Sequence, residues 1–111
     1  MPLLTIANQQ KGPLPLTLTF KSPSDGPACL MIAGSVWTGT ANQVIGIQVT
    51  LDGKPIGTAS IYSNLSTTHR AVVPTYIPVQ LTIGQHTLGL QVLNSVTTSD
   101  FNDFFDAVLF Y

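Results

Sequence analysis

The sequence predicts an all-β protein: a single jelly-roll β-sandwich of about eight antiparallel strands, spanning residues 1–111. Three observations predict it. Thr, Val, Ile and aromatic residues dominate, and these side chains suit a pleated, half-buried surface. Short runs alternate apolar and polar with a period of two. Pro and Gly punctuate those runs at regular intervals, with no repeat, no linker and no convincing helix. A chain of 111 residues can fill one core, and about eight short strands suit a jelly roll.

In chain order, LPLTLTFK is the clearest strand. Leu14, Leu16, Leu18 and Phe20 alternate with Pro15, Thr17, Thr19 and Lys21, so one face is wet. Pro15 cannot donate to a ladder and places this strand at an edge or at its start. PACLMIAGSVW is apolar on both faces, as a strand in the middle of a packed sandwich would be. Its Cys29 is the lone cysteine, read as an inert buried thiol, and no internal disulfide can form.

VIGIQVTLDGKPIGTASIY carries the strongest local signal. Asp52-Gly53 between two alternating runs predicts a two-residue type I′ hairpin. That turn pairs Leu51 with Lys54, Val49 with Ile56, Ile47 with Thr58 and Ile45 with Ser60. Gly46, Gly57 and Ala59 then share one face as a patch of small residues, a sign of close approach by a backbone or a ligand.

HRAVVPTYIPVQLTI is extended, and Pro74 and Pro78 send it along an edge. Gly84-Gln85 reads as a turn. HTLGLQVLN then places His86, Leu88, Leu90 and Val92 on one face, with His86 structural. After the loop SVTTSDFND, the chain closes on FFDAVLFY. Here Phe105, Ala107, Leu109 and Tyr111 line one face, and Phe104, Asp106, Val108 and Phe110 the other. A surface strand should alternate apolar with polar. This one does not, so Phe104, Asp106, Val108 and Phe110 are expected to meet a partner chain. An unpaired charge on that face is costly. Arg70, one of only four Lys and Arg residues, is the expected partner of Asp106.

Composition narrows the function. Charged residues make up 8% of the chain, there is no Glu, and the formal net charge is −1. No basic stripe exists for nucleic acid, and no apolar run reaches the ~20 residues of a membrane helix. The start, MPLLTIANQQKG, lacks the basic and apolar regions of a signal peptide. The expectation is a soluble protein without membrane insertion, cytoplasmic or released by a non-standard route.

An enzyme is not expected. The chain has neither G-x-S-x-G nor H-E-x-x-H, and without Glu a glycosidase would need an Asp pair. Asp100, Asn102 and Asp103 are oxygen donors of the kind calcium takes, but their spacing matches no EF-hand; turn chemistry is the main reading and a calcium site the alternative. No cofactor is expected. Trp37, Tyr62 and Tyr76 are aromatics with polar handles, and Trp37 and Tyr62 stand where strands give way to polar loops. Asn64, His69 and Arg70 are the nearby polar groups. Neutral sugars offer C–H faces to rings and hydroxyls to such side chains, and their binding needs little net charge.

Three stretches carry a resemblance. NDFFDAVLFY looks like the terminal strand of C1q/TNF-like jelly rolls, MPLLTIA resembles the start of a bacterial TNF-like lectin domain, and GQHTLGL is similar to a G-x-H-x-L corner of carbohydrate-binding jelly rolls. Together they cover about a quarter of the chain and bring no catalytic or metal motif. The resemblance implies assembly about a threefold axis. The expected function is therefore a non-enzymatic, lectin-like carbohydrate-binding module acting as a homo-oligomer, a trimer by that resemblance. It would take neutral glycan through Trp37, Tyr62, Asn64, His69, Arg70 and Tyr76. The alternative is a structural or assembly subunit, such as a phage or particle component, with the same fold and no small-ligand site.

Overall fold

The computed structural model describes residues 2–111; Met1, the first residue of the opening MPLLTIA stretch, lies outside them. Two antiparallel sheets face each other. The strands are β1 (Leu3–Lys11), β2 (Leu16–Ser22), β3 (Gly26–Val36), β4 (Gln43–Leu51), β5 (Lys54–Ser63), β6 (Arg70–Ala71), β7 (Thr75–Leu81), β8 (Gly84–Val92) and β9 (Phe104–Phe110). One sheet runs β1-β9-β3, with β7 and the two-residue β6 both pairing the far side of β3. The other runs β2-β8-β4-β5. Eight full strands in two sheets of four make the expected jelly roll, and β6 is the ninth, a short piece that the eight-strand expectation did not include.

The period-two pattern becomes the core. From one sheet Leu30, Ile32, Val36, Phe105 and Leu109 point inward, and from the other Ile45, Ile47, Val49, Leu88 and Leu90; all are fully buried. Phe105 is the largest side chain among them, and Gly34 is what gives it room: a Cβ at Gly34 would strike the Phe105 ring. β2 is an edge strand of its sheet and begins just after Pro15, and β7, preceded by Pro74 and containing Pro78, is an edge of the other sheet, both as the missing N–H groups require.

Several local expectations are corrected. Asp52 (φ 50°) and Gly53 (φ 83°) adopt the two positive φ values of a type I′ turn, and Leu51 pairs Lys54. A register shift next to Thr50 then moves every later pair by one: Val49 faces Gly57, Ile47 faces Ala59 and Ile45 faces Ile61. The shift also dissolves the small-residue patch. Gly57 and Ala59 now lie with Val49 and Ile47, while Gly46 pairs Ser60 on the other face. Cys29 is only half-buried, because its odd-numbered position in β3 faces away from the sandwich. Gly84 already begins β8, so the turn lies at Thr82-Ile83 rather than at Gly84-Gln85.

The closing strand is a central one, between β1 and β3. Phe105, Ala107 and Leu109 are buried in the core. Asp106 does not meet Arg70. Its Oδ1 accepts from the Gln9 backbone N–H at 2.8 Å and its Oδ2 from Gln9 Nε2 at 3.0 Å. The cause is a bulge in β1, where the register shifts between Ala7 and Gln10 and Gln9 sits at φ 51°. A bulge leaves a backbone N–H without a ladder partner, and Asp106 supplies one.

Candidate functional site

The strand directions gather three polar segments at one end of the sandwich: residues 37–42 after β3, residues 64–69 before β6, and residues 93–103 before β9. Backbone bonds lock them together. Trp37 and Thr98 exchange N–H···O bonds of 2.9 Å, the Thr67 N–H donates to Thr38 O at 2.7 Å, and the Gly12 N–H donates to Asp103 O at 2.8 Å. Asn42 and Thr67 hold positive φ values of 63° and 56°. For a β-branched threonine that conformation is strained and persists only when its surroundings enforce it.

At the centre lies Asp103, fully buried. Its Oδ1 accepts from Ser35 Oγ at 2.7 Å and lies 2.6 Å from His69 Nδ1. Its Oδ2 accepts from the Asp100 N–H at 2.8 Å. A buried carboxylate needs its lone pairs filled, and here the donors come from β3, the loop before β6 and the loop before β9. Asp103 thus fixes the His69 ring, whose side chain stays 37% exposed. Nε2 faces outward, 3.7 Å from Asp100 Oδ2. The Trp37 ring backs the imidazole at 6.0 Å, tilted by 48°. Trp37 is itself half-buried, and its Nε1 is enclosed without a hydrogen-bond partner, so it offers the site a wall rather than a donor.

Five of the six residues expected to bind sit at this end. Beyond Trp37 and His69, Arg70 Nη1 donates to Asn64 Oδ1 at 3.3 Å, and Tyr62, more than half exposed, donates its hydroxyl to Asn42 Oδ1 at 3.0 Å. Tyr76 does not join them. It pairs Met31 in the middle of β3, on the outer face of the sheet, with its ring 6.2 Å from Phe110. Ser35 and Asn42 are the members that sequence reasoning did not assign to a site, and Asp103 figures in the sequence only as a turn residue or a calcium donor, not as the anchor of His69.

The arrangement separates two kinds of chemistry. A nucleophile needs its base within hydrogen-bond reach. Ser35 instead donates to the same carboxylate as His69, so it is no partner for the outward Nε2. For cations, His69, Asp100 and Asp103 bring one ligand atom each to within 4.8 Å of one another. Asn102 is not in that group; its N–H caps Asp100 Oδ1 at 2.8 Å, the local turn bond expected of Asp. Three donors including a nitrogen fall short of the six to eight oxygens calcium takes.

A second histidine–aspartate pair occupies the opposite end of the strands. His86 is buried in β8, its Nδ1 2.6 Å from Asp52 Oδ2 and its Nε2 2.7 Å from Thr82 O. Asp52, about half exposed, also accepts from the Thr87 N–H at 2.9 Å. The Phe20 ring stacks on the imidazole at 5.7 Å. The hydrogen bond to Asp52, helped by the Thr82 carbonyl, holds the His86 pKa above the usual imidazole value against the effect of burial. The bond to His86, then that from the Thr87 N–H, holds the Asp52 carboxyl below the usual carboxylate range.

No protein-family model and no curated protein matches the chain. Solved structures match it in fold. The tripod from the baseplate of bacteriophage Tuc2009 aligns with a TM-score of 0.61 at 18% identity, covering 97% of this chain and 62% of that one. The CBM36-1 domain of a multidomain xylanase from the hindgut metagenome of Trinervitermes trinervoides aligns at 0.55 and 10% identity, covering 99% and 97%. A family 35 carbohydrate binding module from Clostridium thermocellum aligns at 0.53 and 16% identity, covering 98% and 86%. Some other matches are far longer proteins: the chain spans 10% of the length of one matching β-glucosidase. These identities speak for the fold alone. No helix among the described residues is long and apolar enough to cross a membrane.

Proposed function

We infer that this protein is a non-enzymatic carbohydrate-binding module, lectin-like, that takes neutral glycan at the loop end of the sandwich and acts as a homo-oligomer. The observation that carries the reading is the exposed His69 ring held from beneath by the fully buried Asp103. An imidazole fixed in place presents a hydrogen-bonding nitrogen to a sugar hydroxyl without first losing rotamer freedom. Asp100 stands beside it, Tyr62 and the Arg70–Asn64 pair supply an aromatic ring and further polar groups along the rim, and Trp37 forms the wall. The likeness in fold to carbohydrate-binding modules agrees with this reading. Single sites on so small a surface bind weakly, and repetition on an oligomer raises avidity; a trimer is the form implied by the C1q/TNF resemblance.

A second reading is an assembly subunit, to which the apolar outer face of the β9 sheet is as well suited as to an oligomeric module. Such a subunit has no small-ligand site, and the likeness in fold to the Tuc2009 baseplate tripod agrees with it. A glycan array separates the two. Reproducible binding to a neutral glycan, lost in Tyr62→Ala and in His69→Ala, is the outcome expected of the lectin. A flat array from a folded protein that still self-associates would leave the assembly subunit.

A further inference from the structure

The two outer faces of the sandwich differ in chemistry. On the β2-β8-β4-β5 sheet, outward pairs are Thr19 with Thr87, Lys21 with Gln85, and Gln48 with Gln91 and Thr58. Hydroxyls and amides cover most of that face, and the exposed Val44–Tyr62 pair stands at its loop end. The opposite sheet carries rows of a different kind. Across its strands, one row holds Leu3, Phe110, Cys29 and Pro78. The next holds Thr5, Val108, Met31 and Tyr76. Leu3 is 57% exposed, Tyr76 62% and Phe104, at the far end, 38%. A face of this kind on a chain so poor in charge calls for a partner.

We propose that this outer face, built on β1, β9, β3 and β7, docks a second copy of the same chain. This deepens the homo-oligomer part of the proposed function and rests on it, but it does not depend on glycan. Two features select a second copy over another occupant. The first is size. The rows run across four strands, a face far broader than a small ligand fills, and specific protein interfaces begin at about 1,200 Å² of total buried surface. A shallow hollow beside Phe110, lined also by Pro27, Ala28, Cys29 and Tyr111, lies on the same side as the projecting Tyr76 and Leu3, so one copy offers both bump and recess. The second is charge. By register the face holds one anion, Asp106, and one cation, Lys11, which pairs Phe104. Two copies therefore meet with balanced charge. Asp106 also has both oxygens occupied by Gln9, so covering it strands no bare carboxylate. A strongly acidic or strongly basic partner would meet no more than one counter-charge among the described residues of this face. Tyr76, expected from the sequence to stack on sugar, belongs instead to this surface.

Light scattering coupled to gel filtration from about 1 to about 500 µM tests the proposal, because that span covers self-association from tight to weak. The wild-type mass should rise above one chain. Leu3→Lys and Tyr76→Lys change side chains already facing solvent, and each should return the protein to a monomer, whereas Thr19→Lys on the polar sheet should leave the assembly intact. A second measurement needs no variant: the alkylation rate of Cys29, which lies within the face, should fall as wild-type concentration rises. A monomer throughout with a constant alkylation rate overturns the proposal, and so does an oligomer indifferent to both lysine variants. A glycan-binding monomer removes only this face and leaves the lectin reading; an oligomer blind to glycan removes the lectin and leaves this face.

Discussion

Each end of the sandwich carries a histidine and an aspartate 2.6 Å apart, and the two pairs are inverted. At one end His86 is buried and Asp52 half exposed; at the other Asp103 is buried and His69 faces solvent. The inversion separates staple from site. Burying the imidazole among Phe20, Asp52 and Thr82 uses all its hydrogen-bonding capacity inside the fold, tying the β4–β5 hairpin to β8. Burying the carboxylate uses Asp103 as an anchor and leaves an imidazole nitrogen facing outward. A histidine spent on packing cannot also serve a ligand, whereas one aimed by a buried acid can.

Predictions that would break or sharpen this contrast run from large to small. Asp103→Ala should cost the most stability. It removes the acceptor of three donors inside a closed loop junction, a loss of about 3 kcal/mol by the cost of stranding buried polar groups. Urea denaturation measures it, and a change under ~0.5 kcal/mol would mean that Asp103 anchors nothing. Gly53→Val comes next, at about 1 kcal/mol or more, because a β-branched residue resists the positive φ of the turn. Unchanged melting would contradict the hairpin.

The His86–Asp52 pair predicts a pH signature. The His86 pKa is raised, so its contribution is complete below the unfolded value of 6.5 and is lost as pH rises through the folded value. The Asp52 pKa is lowered, so its contribution is complete above the unfolded value of 3.8 and is lost as pH falls through the folded value. Thermal melts should therefore peak between those limits, and His86→Gln should flatten the decline on the alkaline side. An alkaline limb identical in wild type and His86→Gln would show that the staple does not titrate.

The smallest stability effect belongs to His69→Ala, on the order of 1 kcal/mol or less, because the ring is partly solvated and its loss leaves Asp103 with two donors. Melting and urea curves check it. A loss as large as that of Asp103→Ala would make His69 a packing residue like His86.

Much of the architecture was legible in the sequence because it follows from local rules. Alternating leucines place β2 and β8, Asp52-Gly53 places the hairpin, and Pro74 and Pro78 place an edge. What stayed hidden depends on register. The partner of Asp106 is Gln9, 97 positions away, and it is available only because β1 bulges there. The shift beside Thr50 likewise carries no mark in the residue pattern, yet it reassigns every pair of the hairpin beyond Pro55. The site was half visible. The rim residues Tyr62, Asn64, His69 and Arg70 stand out as polar groups at strand ends. Their anchor, Asp103, looks in sequence like any loop acid, and only the crossing of three segments buries it. Tyr76 shows the converse limit: an aromatic with a polar handle in sequence, but turned onto an apolar sheet face by its pairing with Met31.

The contrast between the two ends is tested most directly by one glycan-array experiment on three folded proteins: wild type, His69→Ala and His86→Gln. Wild type and His86→Gln should bind the same neutral glycans with similar strength, and His69→Ala should bind none. Binding that survives in His69→Ala, or that disappears in a folded His86→Gln, would contradict the assignment of site to one end and staple to the other.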